Sequence, residues 1–74
     1  MSATPRTVDW TEVITHARTE AGLTQTALAK KMGVHAPSIS SFESGKREPS
    51  IRMLYAVIEA TGHKLVMSVE PLDE

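Results

Sequence analysis

The sequence predicts an all-α domain of short helices followed by one C-terminal β-strand. Three observations carry this. Apolar residues recur at helical spacing in four stretches, glycines stand at 22, 33, 45 and 62 where those stretches stop, and after Gly62 the apolar period drops to two. Seventy-four residues make one domain, and with no cysteine there is neither a disulfide framework nor a thiolate metal site to brace it. So small a core is marginal, and an oligomer is expected to supplement it.

Composition narrows the function. The 41% hydrophobic and 23% charged fractions describe an ordinary globular chain. No apolar run approaches the roughly 20 residues of a membrane span. The opening Met1 to Arg6 has no apolar stretch behind it, so no signal peptide is read and the cytoplasm is the expected address, with no membrane partner. The net charge of -1 argues against a uniformly basic nucleic-acid binder. The charges are segregated, however. From Thr24 to Arg52, Lys30, Lys31, Lys46, Arg47 and Arg52 face only Glu43 and Glu48, a net of +3, whereas from Met53 onward Glu59, Glu70, Asp73 and Glu74 oppose only Lys64, a net of -3.

Residues 1–8 read as a flexible start, 9–62 as the helical domain and 63–74 as a strand with a short tail. Asp9 with Glu12 three residues on reads as a helix opening, since each carboxylate can accept from a first-turn N–H, and Trp10, Val13, Ile14, Ala17 and Ala21 share the apolar face that follows. Thr24 caps a short second helix with Ala27, Leu28 and Met32 on its apolar side, Lys30 and Lys31 exposed, and Gly33 as its stop. A third helix opens at Ala36-Pro37, where proline costs little because its missing N–H would lack an intrahelical partner anyway, and runs through Glu43. Ile39 and Phe42 turn inward beside Val34, while Pro37, Ser40, Ser41 and Ser44 turn outward on a face almost free of charge. Gly45 to Pro49 forms a basic loop. Ser50 then caps a fourth helix with Ile51, Leu54, Tyr55 and Ile58 as its apolar stripe, and Gly62 ends it.

Beyond Gly62, Leu65, Met67 and Val69 alternate with more polar neighbours up to Pro71, the pattern of a half-buried strand. No other strand exists to satisfy its edges. Antiparallel pairing with a second copy across a two-fold axis resolves this, and makes Leu65, Val66, Met67, Ser68 and Val69 the expected homodimer interface.

Two short helices joined by a glycine-containing turn are the geometry in which the first braces on a DNA backbone and the second enters the major groove. The runs Leu23-Thr24-Gln25-Thr26-Ala27-Leu28-Ala29-Lys30-Lys31-Met32-Gly33-Val34 and Ser38-Ile39-Ser40-Ser41-Phe42-Glu43-Ser44-Gly45-Lys46-Arg47-Glu48-Pro49-Ser50 resemble the lambda repressor/Cro-like (Xre) family over about Trp10 to Gly62. That resemblance implies a DNA-binding domain of five short helices. Leu28 to Lys31, Ile39 to Glu43 and Lys64 to Glu70 are most similar to the HipB-type antitoxins. These pair C-terminal strands as dimers, repress their own operon and bind a partner toxin, so the resemblance implies a HipA-like kinase as toxin partner.

The resemblance also implies phosphate contacts from Gln25 and from Ser44, Gly45 and Lys46, with Ser38 and Arg47 beside them. The independent physical warrant is that helix-start N–H groups suit an anion and that Lys46 and Arg47 add full charges. The base-reading positions are His35, Ala36, Pro37, Ser40 and Ser41, at the start and outer face of the third helix. None is Arg, Asn or Gln, so the bidentate pairs worth about 1–3 kcal/mol per base are missing, and phosphate positioning, water and DNA deformability are expected to carry more of the recognition. For His35 a plain helix cap is as good a reading as base contact, and any one serine of the Ser38 to Ser44 stretch is as well explained as solvent-facing filler.

No enzyme is expected. His16, His35 and His63 lie on different elements with no partner at i+4, no nucleophile elbow surrounds any serine, and no metal or other cofactor is called for. Trp10 and Tyr55 read as core or interface residues. The expected function is therefore a sequence-specific transcriptional repressor on a pseudo-palindromic double-stranded operator, with an antitoxin of a type II toxin-antitoxin system as the favoured setting. A phage-type or restriction-modification control repressor is the alternative within that class. A protein-interaction module that does not bind DNA is the alternative outside it.

Overall fold

A computed structural model describes residues 9–73, and the expected loose start at 1–8 lies outside them. Four helices follow one another: α1 (Trp10–Glu20), α2 (Gln25–Met32), α3 (Ala36–Ser44) and α4 (Ile51–Ala60). Local chemistry sets the starts of three. The Thr24 hydroxyl accepts from Ala27 N–H at 2.9 Å and that of Ser50 from Met53 N–H at 3.1 Å, each satisfying a first-turn donor that no carbonyl can reach. At α1, Asp9 accepts from Thr11 N–H at 3.1 Å and also from the Thr11 hydroxyl. The hydroxyl partner is therefore Thr11, at the second helical position, rather than the reciprocal box with Glu12 that the sequence suggested.

The helix ends share one device. Leu23, Val34 and His63 each donate an N–H six-to-one, to Arg18, Ala29 and Ile58 respectively, across a glycine of positive φ. At Gly33, with φ 74° and ψ 28°, this left-handed turn reverses the chain within three residues and sets α3 against α2.

Each helix contributes to one core. Ile14 and Ala17, Leu28 and Ala29, Ile39 and Phe42, and Leu54, Val57 and Ile58 are buried, with Trp10, Val13, Leu23, Met32, Val34 and Leu65 packed around them. α3 packs on α1 and α2, and α4 closes the other side against the same two helices.

Several expectations are corrected. Among the described residues there are four helices, not five. Ala21 is exposed, because α1 ends before it. On α4 the inward stripe is Leu54, Val57 and Ile58, which leaves Ile51 at 52% and Tyr55 at 38% exposure on the outside. Ala29, not anticipated for the core, is buried where α2 meets α3.

Residues 63–73 form no strand. Leu65 packs on the core, but Val66, Met67, Val69 and Leu72 are 75%, 45%, 99% and 72% exposed. A strand exists only through a ladder with a neighbour, and the described residues offer none. The described residues extend 45 × 23 × 22 Å, although an eleven-residue helix is only about 17 Å long, so the long dimension goes with this outlying chain.

Leu28 is fully buried, so Leu28→Ala is expected to cost about 2–5 kcal/mol of unfolding free energy, and Thr24→Ala about 1 kcal/mol through the lost cap. Urea denaturation of the two variants checks both values and their order.

Candidate nucleic-acid interface

The orientation of α3 is held by one carboxylate. Glu43 accepts from Arg18 Nε at 2.6 Å and Nη2 at 2.9 Å, and from Gln25 Nε2 at 3.1 Å, which ties α1, α2 and α3 at a single point. Arg18 Nη1 donates in addition to the Leu23 carbonyl at 2.8 Å, fixing the α1–α2 turn. The two charged side chains are only 14% and 7% exposed. Burial by itself pushes the Glu43 carboxyl up. The hydrogen bonds from Arg18 and Gln25, the Arg18 charge and a hydrogen bond from Thr15 outweigh it and hold the group below its ordinary value. The Arg18 guanidinium is correspondingly raised, first by its hydrogen bond to Glu43.

Sequence reasoning missed this hub, because the partners lie 25 residues apart and periodicity speaks only of neighbours. The available signal was a lone acidic residue, Glu43, in a helix otherwise free of charge. Its consequence is electrostatic as well as mechanical. With Glu43 neutralised by Arg18, the cations Lys30, Lys31, Lys46, Arg47 and Arg52 are opposed only by Glu48 in the 24–52 stretch.

The expected base-reading residues all lie at the start or on the first turns of α3, but Ala36 packs against the core while the others face outward. His35, Pro37 and Ser40 are exposed, and Ala36 and Ser41 half-buried. His35 occupies the N-cap position with no side-chain capping bond, so its imidazole is not used as a cap.

The expected phosphate residues lie at two edges. Gln25 begins α2, half-buried, with one amide N–H committed to Glu43 and the second left over. Ser44 donates its hydroxyl to the Ser41 carbonyl at 3.3 Å, and Arg47 N–H donates to the same carbonyl at 3.2 Å, folding the basic loop back onto α3. Gly45 makes that fold possible with φ 84°, and an added Cβ would sit 3.7 Å from the Thr11 methyl at the start of α1. The Arg47 guanidinium lies 5.4 Å from the centroid of the buried Phe42 ring, so its charge is held over the end of α3, while Lys46 projects freely. Ser38 is half-buried on the first turn of α3. Of the expected dimer residues, Leu65 packs on the core and Val66 to Val69 are exposed.

A short second helix, a left-handed three-residue turn and an exposed third helix flanked by cations are now in place. The Helix-turn-helix family model matches residues 14–65. The chain belongs to the helix-turn-helix family. It is 39% identical over 57 residues to an uncharacterized HTH-type transcriptional regulator of Sinorhizobium fredii, covering 77% of this chain and 74% of that one. To another such regulator, from Methanothermobacter thermautotrophicus, it is 34% identical over 62 residues, covering 84% and 90%. A third, from Archaeoglobus fulgidus, matches at 45% over 40 residues, 54% of this chain and 57% of the relative. As a member of this family the chain is a DNA-binding transcriptional regulator. No helix among its described residues is long and apolar enough to cross a membrane.

Arg18→Ala strands a shielded carboxylate and is expected to cost about 3–5 kcal/mol at neutral pH. Because the folded Glu43 carboxyl lies below its ordinary value, its stabilisation is complete above about pH 4.3 and fades as acid protonates it in the folded state. The penalty of Arg18→Ala should therefore shrink on acidification, which thermal melts of both proteins from pH 7 to pH 3 measure. A pH-independent penalty would refute the assigned pairing.

Proposed function

We propose that the chain is a sequence-specific transcriptional repressor that binds a pseudo-palindromic duplex as a homodimer, with α3 of each copy in successive major grooves about 34–36 Å apart. The observation that carries this is the exposed, charge-free outer side of α3 lying between the start of α2 and the Gly45 to Arg47 loop. In this reading His35, Ala36, Pro37, Ser40 and Ser41 meet base edges, and Gln25, Ser38, Ser44, Gly45, Lys46 and Arg47 meet phosphates. Ser hydroxyls donate or accept, and Ala36 and Pro37 suit a thymine methyl. With no long bidentate side chain on that surface, specificity draws heavily on phosphate register, bridging water and the ease of bending the site.

The homodimer forms through antiparallel pairing of Leu65, Val66, Met67, Ser68 and Val69. Its support is the apolar alternation in a segment that a single chain leaves exposed and without a ladder. A two-stranded ribbon is marginal alone, so Leu65, packed on the core, serves as its anchor.

The biological setting that fits the sequence resemblance is an antitoxin that represses its own operon and binds a HipA-like kinase toxin. That step rests on the residue runs alone. A kinase-like reading frame beside this one supports it, and a methyltransferase or phage gene there favours the control-repressor alternative.

Fluorescence titration against the protein's own upstream region and a random duplex, at several salt concentrations, tests the main reading. The upstream duplex should bind more tightly, affinity should fall steeply with salt, and Lys46→Ala should reduce the salt slope by about two, one for each copy in the dimer. Equal affinity for both duplexes would remove sequence specificity, and binding to neither would leave the protein-interaction reading in its place. Val66→Pro or Val69→Pro removes a ladder donor and should weaken self-association, and an unchanged dimer in sedimentation equilibrium would exclude the ribbon as the main junction.

A further inference from the structure

α4 presents a second surface that the core does not use. Ile51, Arg52, Tyr55, Ala56 and Glu59 are all exposed. At 3.6 residues per turn they span an arc of about 140°, opposite Leu54, Val57 and Ile58. The order along this face is a cation near the N-terminal end, an aromatic and a small residue in the middle, and an anion near the C-terminal end. Neither Arg52 nor Glu59 has an ion-pair partner among the described residues, and they are seven positions apart, roughly 10 Å along the axis, too far to satisfy one another.

The midpoint between Arg52 and Glu59 falls between Tyr55 and Ala56. A two-fold axis through that midpoint lays α4 antiparallel on α4 of a second copy, and places each Arg52 against the other copy's Glu59. Tyr55 then covers the centre, with Ile51 and the small Ala56 at the two edges of the contact. The face is complementary to itself, which is the requirement of an isologous contact. Opposed helix dipoles favour the same arrangement. A face of uniform sign would have repelled its own copy.

We propose that the outer face of α4 is a self-association surface, joined by reciprocal Arg52–Glu59 pairs around Tyr55 and Ala56, and that its occupant is a second copy of this chain. It rests on the homodimer proposed above and supplies the buried area that a two-stranded ribbon lacks. Arg52 thereby serves assembly rather than phosphate binding.

Charge reversal tests it. In sedimentation equilibrium at low salt, Arg52→Glu and Glu59→Arg should each weaken the dimer by about tenfold or more, and the double reversal, which restores complementarity, should return it to near the wild-type value. A structural role within one chain predicts no such rescue. Wild-type protein that stays monomeric throughout would overturn both the homodimer and this surface. A wild-type dimer indifferent to the single reversals, or not rescued by the double one, would overturn the α4 surface and leave the ribbon. Far-ultraviolet circular dichroism separates unfolding from dissociation. Should a reversal unfold the chain, Ala56→Cys decides on its own. In a protein without native cysteine it should oxidise to a covalent dimer faster than the exposed control Glu20→Cys, and equal rates would overturn the proposal.

Discussion

The shielded Arg18–Glu43 pair is the constraint on which the proposed DNA-facing surface of α3 depends. A helix of nine residues has little stability of its own, and α3 stays helical because Ile39 and Phe42 are buried on one side and Glu43 is anchored on another. Apolar burial alone is non-directional and would leave a rotation of α3 about its axis weakly resisted. A bidentate guanidinium-carboxylate pair has a fixed plane, and the Gln25 amide adds a third direction. Together they define which residues of α3 point outward. Removing an ion pair of this kind in favour of apolar residues need not cost stability, so its contribution is best understood as orientation.

The same pair shapes the electrostatics. A chain with a net charge of -1 must concentrate its cations to attract a phosphate backbone. Withdrawing Glu43 into the interior achieves part of this without adding a positive residue. The cation over Phe42 achieves another part, since Arg47 is kept at the end of α3 by the ring beneath it. Lys46 is exposed, as suits a contact with a diffuse charge rather than with a particular base edge.

Most of the helical framework was legible in the sequence because its signals are local. Thr24 and Ser50 cap where the apolar periodicity begins, Gly33 and Gly62 sit where it stops, and Ile39 with Phe42 is an i, i+3 pair that can only face one way. What was not legible is tertiary. Nothing in a window of ten residues connects Arg18 with Glu43. On α4 the sequence pattern turns Ile51 and Tyr55 inward and misses Val57, since Ile51, Leu54, Tyr55 and Ile58 repeat at i, i+3, i+4 and i+7 as well as any inward stripe does, and only the placement of α1 and α2 decides which residues are covered. The alternation after Gly62 is present in the sequence, but a strand requires a neighbour and the described residues supply none. Of the candidate interface, the exposed start of α3 and the loop cations were found from type and position. The commitment of the Gln25 amide to Glu43 was not.

The outer side of α3, bounded by the start of α2 and the basic loop, is the surface proposed to meet duplex DNA. Amide chemical-shift mapping during titration with the upstream duplex addresses it residue by residue. The largest changes are expected at Gln25, from Ala36 to Ser41 and from Gly45 to Arg47, with the exposed residues of α1 little affected. Changes centred on α1, with α3 unmoved, would contradict it.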